Sequence, residues 1–289
     1  MVRTSSYLRT REKVPAAFSV YTCVAVDHIA SDERVANVAG RVAFAESMFE
    51  DGGGGERFAV PEVFVCNVQV SSVMPSVLFP AADGRGHNIV SYYTLSPRAR
   101  SILRAMESGG TVQEGDEDAR GALTLWRKWC ERAEGEAEWR GRFKLIAQSD
   151  DLAAAGFPAI FLGYNGKPVL IRRAGTVDRG EATVLREEDG GGGSAGASQP
   201  PTVSYISFSI NLHSFPYLAK SALLLLLNSF IPRLQLDLAF VVEGREEEEL
   251  PEALVGAVRL GRPSVGQAVE GEDFFGEGRR GGVGQPGEN

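Results

Sequence analysis

The sequence predicts an α+β domain with a mainly antiparallel sheet, a long apolar helix packed across that sheet, and flexible glycine-rich inserts. Segments with strand patterns outnumber segments with helical spacing, and they do not alternate regularly with helices. Residues 215–231, which contain the most apolar stretch at 219–231, join two alternating segments directly and are predicted to form the long helix. Glycine runs at residues 52–55 and 190–193 cannot offset their backbone entropy by burial, which predicts inserts.

Three strands are predicted in the first hundred residues. Residues 18–26 alternate, with apolar side chains and Thr22 on one face. Residues 63–70 are almost continuously apolar and β-branched, which is typical of a strand buried on both faces. Residues 88–95 are predicted to form the third strand.

Two helices are predicted in the middle of the chain. Ser96 and Pro97 are typical of an N-cap and a first helical position, so a helix begins there. Residues 119–134 place Leu123, Trp126 and Cys130 at spacings of three and four, which indicates an amphipathic helix.

The second half predicts a short strand at residues 142–147 and then a hairpin between residues 157–162 and 167–172. An Asn-Gly pair at 165–166 favours a tight turn between those two segments. Residues 203–212 and 234–242 alternate cleanly and flank the long helix. We expect one domain over residues 1–262, with inserts near 50–57, 108–118 and 187–201, and a disordered tail over 263–289.

Composition excludes several classes of protein. The net charge is −8, and residues 1–180 carry 22 basic and 22 acidic residues, so the excess acid follows them. A nucleic-acid-binding protein needs a basic excess and is not expected. The cysteines, Cys23, Cys66 and Cys130, are far apart, which predicts a reducing, intracellular and cytoplasmic environment without disulfides or zinc. No signal peptide or transmembrane segment is expected, because residues 219–231 are too short to span a bilayer.

The sequence patterns that resemble catalytic or cofactor-binding motifs lack the secondary structure that those motifs require. The glycine patterns at 276–281 and 192–196 resemble a dinucleotide fingerprint and a nucleophile elbow, but no strand–helix junction surrounds either. None of the three histidines pairs with another at metal-ligand spacing, so no metal or cofactor is expected. A hydrolase that uses His213, Ser214 and Asp237 stays a third-ranked hypothesis. The simpler interpretation is that Ser214 caps a helix and Asp237 forms an ion pair.

Basic residues suggest a different role. They are concentrated on the first helix and between residues 140 and 180. If they converge, they form a surface for anionic lipid headgroups. The candidates are Arg98, Arg100, Arg104, Arg140, Arg142, Lys144, Arg172 and Arg173.

Several segments, in order, resemble one known family. Residues 18–27 end in a Val-Asp pair, residues 64–70 resemble FVVNLQVP, and residues 142–146 resemble RFKLIP with Ala147 in place of the proline. The strongest match is LDLAFVVEG at 236–244, followed by EEELPE at 247–252 and GAVRL at 256–260. Together they resemble the C-terminal domain of the plant Enhanced Disease Resistance two proteins. The matching positions that we expect to be structural are Phe143, Lys144, Leu145, Asp237, Gly244, Pro251, Glu252 and Gly256.

The resemblance implies a plant or algal domain of unknown biochemical activity. Longer relatives carry a pleckstrin-homology and a START lipid-binding domain before it, and this chain is expected to begin at the domain's own start. The family's acidic positions before the long helix are Ser207, Ser209 and Asn211 here, which lowers the expectation of catalysis. The first hypothesis is therefore a non-catalytic, lipid- or membrane-associated domain, peripheral on membranes. The second is a protein-interaction or regulatory module whose partners the sequence does not identify.

Overall fold

A computed structural model describes residues 1–49, 56–73, 84–110, 113, 115–186, 200–214, 224, 233–276 and 280–281. These residues form a two-stranded hairpin, an eight-stranded sheet and a four-stranded sheet. The strands are β1 (Val2–Arg3), β2 (Lys13–Val14), β3 (Tyr21–Ser31), β4 (Ala43–Ala45), β5 (Val63–Ser71), β6 (Gly86–Leu95), β7 (Phe143–Gln148), β8 (Pro168–Leu170), β9 (Gly175–Leu185), β10 (Thr202–Asn211), β11 (Gln235–Val242), β12 (Leu254–Gly261), β13 (Val269–Glu270) and β14 (Arg280–Gly281).

The described helices are short apart from two. They are α1 (Tyr7–Thr10), α2 (Pro97–Glu107), α3 (Glu117–Arg132), α4 (Ala137–Arg140), α5 (Ala159–Leu162) and α6 (Gly271–Phe274). Single 3₁₀ turns occur at Val38–Arg41, Glu46–Met48, Leu212–Ser214, Glu247–Glu249 and Val265–Gln267.

The sheets confirm a mixed fold with mainly antiparallel pairing. The large sheet has the order β13-β3-β6-β5-β10-β9-β4-β14, and the small sheet has the order β12-β11-β7-β8. Every neighbour in the small sheet is antiparallel. In the large sheet β5 and β10 pair in parallel at the centre. Parallel strands at a sheet centre are buried on both faces, which explains the continuous apolar run of β5.

Two hydrophobic cores lie on opposite faces of the large sheet. The first fills the space between the two sheets and beneath α2 and α3, and aromatic rings dominate it. The ring centroids of Phe143 and Phe208 are 4.2 Å apart, and those of Trp126 and Trp129 are 4.9 Å apart. The second core covers the other face and includes Phe44, Tyr92 and Phe274.

The two predicted helices are confirmed. Ser96 Oγ accepts a hydrogen bond from the Ala99 amide at 3.2 Å, and Pro97 occupies the first turn of α2. Leu123, Trp126 and Cys130 of α3 are all buried against the sheets. The helix starts at Glu117, inside the stretch that the sequence assigned to an insert.

The predicted long helix lies outside the described residues except for Leu224, which is helical and buried. The sequence suggested that the two strands flanking this helix belong to one sheet, but they belong to different sheets. β10 is central in the large sheet, whereas β11 is in the small sheet. The chain between them therefore passes from one sheet to the other.

The prediction of a hairpin around Asn165 and Gly166 is wrong. Residues Ala159–Leu162 form a helical turn, and β8 pairs with β7 instead. Gly166 has φ +68 and donates its amide to the carbonyl of Ala147 at 2.9 Å. The turn at Asn165 and Gly166 is present, but residues 157–162 do not form a strand. β8 therefore pairs with β7.

Part of the segment expected to be a disordered tail has a place in the fold. β13 extends the large sheet beside β3, and Phe274 packs in the second core. The Phe275 ring lies 3.8 Å from the Arg41 guanidinium carbon. Residues 277–279 and 282–289 are outside the described part of the chain, as are residues 50–55 and 187–199 of the predicted inserts.

Candidate functional site

The basic residues predicted on α2 do not form an open cationic surface. Arg98 donates to the Asp116 carboxylate, with Nε at 2.9 Å, and Arg104 donates to both oxygens of Glu56. Arg100 is buried, and its Nε donates to the Leu95 carbonyl at 3.3 Å. Each of the three cations is thus occupied within the protein.

Arg142, just before β7, and Lys144, on β7, are also unavailable to a lipid, because both belong to a buried ion-pair network. Arg142 Nη1 donates to both oxygens of Glu249, at 2.9 and 2.8 Å. Lys144 Nζ donates to Glu252 at 2.6 Å, and both side chains of that pair are less than a tenth exposed. Neither side chain is therefore exposed to a headgroup in this arrangement.

Electrostatics in this network reflect burial and pairing. Burial lowers the pKa of Lys144, and Glu252 offsets only part of that effect. Burial of Glu249 opposes its ionisation, but hydrogen bonds from the Arg245 amide and from Arg142 hold its pKa below the usual value. The network ties β7 to the turn between β11 and β12.

The family-motif positions serve packing and this turn. Phe143 is fully buried, and Leu145 packs against the first core. Gly244 donates its amide to Glu252 at 3.1 Å, and a Cβ there would lie 2.5 Å from the Glu249 carbonyl oxygen. Gly256 faces the Tyr93 ring, where a Cβ would come within 2.8 Å of a ring carbon. Pro251, which follows a cis peptide bond, and Glu252 complete the turn.

The three residues of the hydrolase hypothesis have separate partners. Asp237 on β11 accepts two hydrogen bonds from Arg259, at 2.7 and 2.8 Å, and these lower the pKa of Asp237. Ser214 Oγ donates to the Asn211 carbonyl at 2.8 Å. His213 follows β10 of the other sheet, and its ring lies against Gly86. The expected ion pair of Asp237 is thus observed, with Arg259 as its partner.

Three predicted cations remain. Arg140 donates to the carbonyls of Ala133 and Glu134 at the end of α3, both at 3.1 Å. Arg172 and Arg173 are exposed just after β8. Within the described residues, neither forms an ion pair with a carboxylate.

Two further exposed cations, Lys167 and Lys13, lie next to β8. β8 is the outermost strand of the small sheet, and Lys167 lies in the turn before it. Lys13 on β2 lines a cleft together with Pro168 and Leu170. Exposed apolar side chains accompany them: Met1 is 68 % exposed, Tyr164 is 70 % and Val169 is 48 %. We call the exposed residues on both sides of β8 and on the adjoining N-terminal hairpin the edge-strand face: Met1, Lys13, Tyr164, Lys167, Val169, Arg172 and Arg173. Val169 lies opposite Leu145, so it points to the other side of β8 from Pro168 and Leu170.

A cleft of about 150 Å³ lies at the side of the edge-strand face, between the N-terminal hairpin and the strands β7 and β8. Lys144 lines it from β7, and Arg3 and Lys13 line it from the two strands of the hairpin. Its two carboxylates already have partners, since Glu243 accepts from Arg3 at 2.9 Å and Glu252 accepts from Lys144. The acids near this surface are therefore largely neutralised internally.

The edge-strand face combines unpaired positive charge with exposed apolar groups. Lys13 and Lys167, like the two arginines, have no carboxylate partner among the residues that the structure describes. Residues 152–177 contain three cations and no Asp or Glu, which is the one sequence signal that could have found it. Such a surface suits an anionic interface with an apolar layer beneath it.

Among the described residues, no helix is long and apolar enough to cross a membrane, and no group of three or more His, Cys, Asp or Glu side chains could hold a metal ion. A family model described as Protein ENHANCED DISEASE RESISTANCE 2, C-terminal, matches residues 1–262. No curated protein and no solved structure matches the chain.

Proposed function

The chain belongs to the ENHANCED DISEASE RESISTANCE 2 C-terminal family, and on that premise we propose that it is a non-catalytic domain that binds anionic membrane surfaces. The edge-strand face is the proposed contact surface. The proposal is supported by four exposed cations on β8, its flanks and the adjoining hairpin that have no carboxylate partner among the described residues, together with exposed Met1, Tyr164 and Val169 in the same segments.

Magnitudes favour a reversible, peripheral interaction. A lysine or arginine close to an anionic leaflet contributes about 1 kcal/mol, so four contribute roughly 4 kcal/mol at moderate ionic strength. An exposed tyrosine at the headgroup level adds an amphipathic anchor, because its ring is apolar and its hydroxyl is polar. Neither contribution alone gives stable attachment, and the two together give salt-sensitive binding.

A protein-interaction module is the competing function, with the free edge of β8 as the docking strand. That edge offers only Pro168, Val169 and Leu170. A strand of three residues that starts with proline is a poor template for another strand, because proline has no amide to donate. The charges and the exposed Tyr164 therefore favour a lipid surface over an added strand.

Vesicle flotation tests the proposal directly. The protein is mixed with phosphatidylcholine vesicles that contain or lack phosphatidylserine, at low and at physiological salt. We expect binding only to the anionic vesicles and weaker binding at higher salt. The triple variant Lys167→Gln, Arg172→Gln, Arg173→Gln should bind about 100-fold more weakly, since three contributions of about 1 kcal/mol are removed.

A matched control removes the same charge elsewhere. The variant Arg98→Gln, Arg104→Gln, Arg120→Gln lowers the net charge equally but changes the α2–α3 surface. It should bind anionic vesicles as the parent protein does. Equal loss in both triple variants, or no vesicle binding by the parent at low salt, would overturn the proposal.

A further inference from the structure

The C-terminal segment, residues 263–276, is attached to the outer edge of the large sheet by few contacts. β13 adds a parallel strand of two residues beside β3, with Glu270 opposite Ala30. Phe274 packs in the second core and is the one buried side chain among the described residues of the segment. A segment that buries so little surface can detach while the rest of the domain stays folded.

Two histidines meet beside this segment, on the sheet face opposite Phe274. His28 Nε2 on β3 and His87 Nδ1 on β6 are 3.1 Å apart, and the ring centroids are 5.0 Å apart. Ile29, the neighbour of His28 in β3, belongs to the second core, so the alternation of the strand points His28 to the other face. The segment therefore borders the histidine pair on one face and reaches the second core on the other.

Contacts at Ser264 and Glu270 connect the segment to the histidine pair. The Ser264 backbone forms a hydrogen bond with the His28 ring. Glu270 pairs with Ala30 on one side of β3, and His87 pairs with Ala30 on the other. Directly opposed residues point to the same side of a sheet, so Glu270 and His87 share the face that carries both rings. A change in the charge of the pair is thus felt directly by the segment.

The charged groups around the pair keep both imidazoles neutral at pH 7. Arg85, just before β6, donates to Glu270 at 2.5 Å and to Asp32 at 2.8 Å. Burial and then the neighbouring His87 lower the pKa of His28 to about 4. Burial and then the Arg85 charge lower the pKa of His87, and Glu270 acts in the opposite sense.

We propose that the contact between His28 and His87 is a proton-sensitive latch for the C-terminal segment, which is docked while the pair is neutral and detaches as the pair is protonated. In the neutral pair, one ring nitrogen donates a hydrogen bond to the other. One added proton can be shared across the 3.1 Å contact, but a second proton places two N–H groups against each other beside Arg85. The rings then turn apart, and His28 loses its contact with Ser264.

Protonation should weaken docking below about pH 6.5. Once the segment is detached, the two rings are more exposed and their pKa values return toward the ordinary value of about 6.5. The docked state has the lower pKa, so the stability that the latch contributes is fully present above that pH. It is lost progressively as the pH falls toward the docked value of about 4 for His28.

Hydrogen exchange followed by mass spectrometry tests the latch on the full chain from pH 7.5 to pH 4.5, with protection expressed relative to the intrinsic exchange rate at each pH. We expect protection of residues 263–276 to fall by about tenfold or more over this range, while β5 stays protected. His28→Asn and His87→Asn should each remove most of this pH dependence. His213→Asn, which changes the remaining histidine, should keep it. Protection of β5 in the same spectra shows that each variant is folded.

Two further variants separate the imidazoles from the carboxylate. His87→Lys places a permanent positive charge beside His28 and should leave the segment unprotected at pH 7.5. Glu270→Gln removes the titrating acid and should retain the loss of protection over the same pH range.

Three results would overturn the latch: a protected segment in His87→Lys at pH 7.5, a pH dependence like the parent's in both asparagine variants, or no pH dependence in Glu270→Gln. An unprotected segment in the parent at pH 7.5 would do so as well. None of these residues belongs to the edge-strand face, so vesicle binding should be unchanged in every variant. This proposal and the membrane proposal therefore fail separately.

Discussion

Two groups of cations lie within a few dozen residues of each other but differ in burial and in pairing. Lys144 on β7 and Arg142 just before it are buried, and each meets a glutamate at 2.9 Å or less. Lys167, Arg172 and Arg173 flank β8 in the same small sheet, and they are exposed without ion pairs among the described residues. The comparison teaches that positive charge in a sequence does not indicate a binding surface until its burial and partners are known.

The buried cations are also expected to contribute more to stability than the exposed ones. A buried charge that loses its partner costs several kcal/mol, because the remaining charge stays out of water. An exposed charge contributes little to stability, since solvent and salt screen it. The ion-pair network should therefore control the free energy of unfolding, and the edge-strand face should control binding. Four measurements test this division, in order of decreasing effect on stability.

The largest expected effect belongs to Lys144→Met. The substitution leaves Glu252 buried beside Arg3, whose Nε is 3.5 Å away, and the free energy of unfolding should fall by about 3–5 kcal/mol. Urea unfolding measures the change. Lys167→Met is the matched control and should shift stability by less than about 0.5 kcal/mol. A loss below 1 kcal/mol for Lys144→Met would contradict a structural role for the network.

Gly244→Ala should have the next largest effect. The added methyl would lie 2.5 Å from the Glu249 carbonyl oxygen, so the turn must shift and weaken the Glu249 and Glu252 contacts. We expect a loss of about 1–3 kcal/mol in thermal or chemical unfolding. Gly163→Ala beside β8 meets nothing within 4 Å and should be nearly neutral. Equal effects at the two glycines would refute the distinction.

Acid should weaken the network before it affects the edge-strand face. The pKa of Glu249 in the folded protein is below the usual 4.5, so its contribution is fully present above that pH. The contribution is lost as pH falls through the lower folded value. Urea midpoints measured from pH 6 to pH 3 should fall less steeply in Glu249→Gln than in the parent. The same pH slope in both proteins would show that Glu249 does not contribute.

The smallest effect on stability is expected from the variant Lys167→Gln, Arg172→Gln, Arg173→Gln. None of the three side chains has an ion pair to lose among the described residues, so unfolding should change by no more than about 0.5 kcal/mol. Vesicle binding of the same protein should nevertheless fall strongly. A large loss of stability would mean that these cations support the fold, and the comparison between the two groups would fail.

Local patterns predicted much of the fold. The N-cap at Ser96, the spacing of Leu123, Trp126 and Cys130, and the alternation of β10 and β11 were all visible in sequence, because each depends on residues a few positions apart. The prediction of a hairpin at residues 157–172 was wrong because a strand can pair with any strand that the fold brings beside it, and β8 pairs with β7. The C-terminal segment was assigned to a tail because its polar composition hides the docking of Phe274 and β13.

The candidate sites were predicted less well, for a physical reason. The sequence by itself determined the composition of the strands, the two helices, the family resemblance and the presence of basic residues around β7 and β8. Only the tertiary structure decided that Lys144 meets Glu252, that Lys13 lies beside β8, and that His28 contacts His87. Backbone preferences act between near neighbours in sequence. Charge partners and contacts between residues distant in sequence depend on strand order and register, which the packing of the whole chain sets.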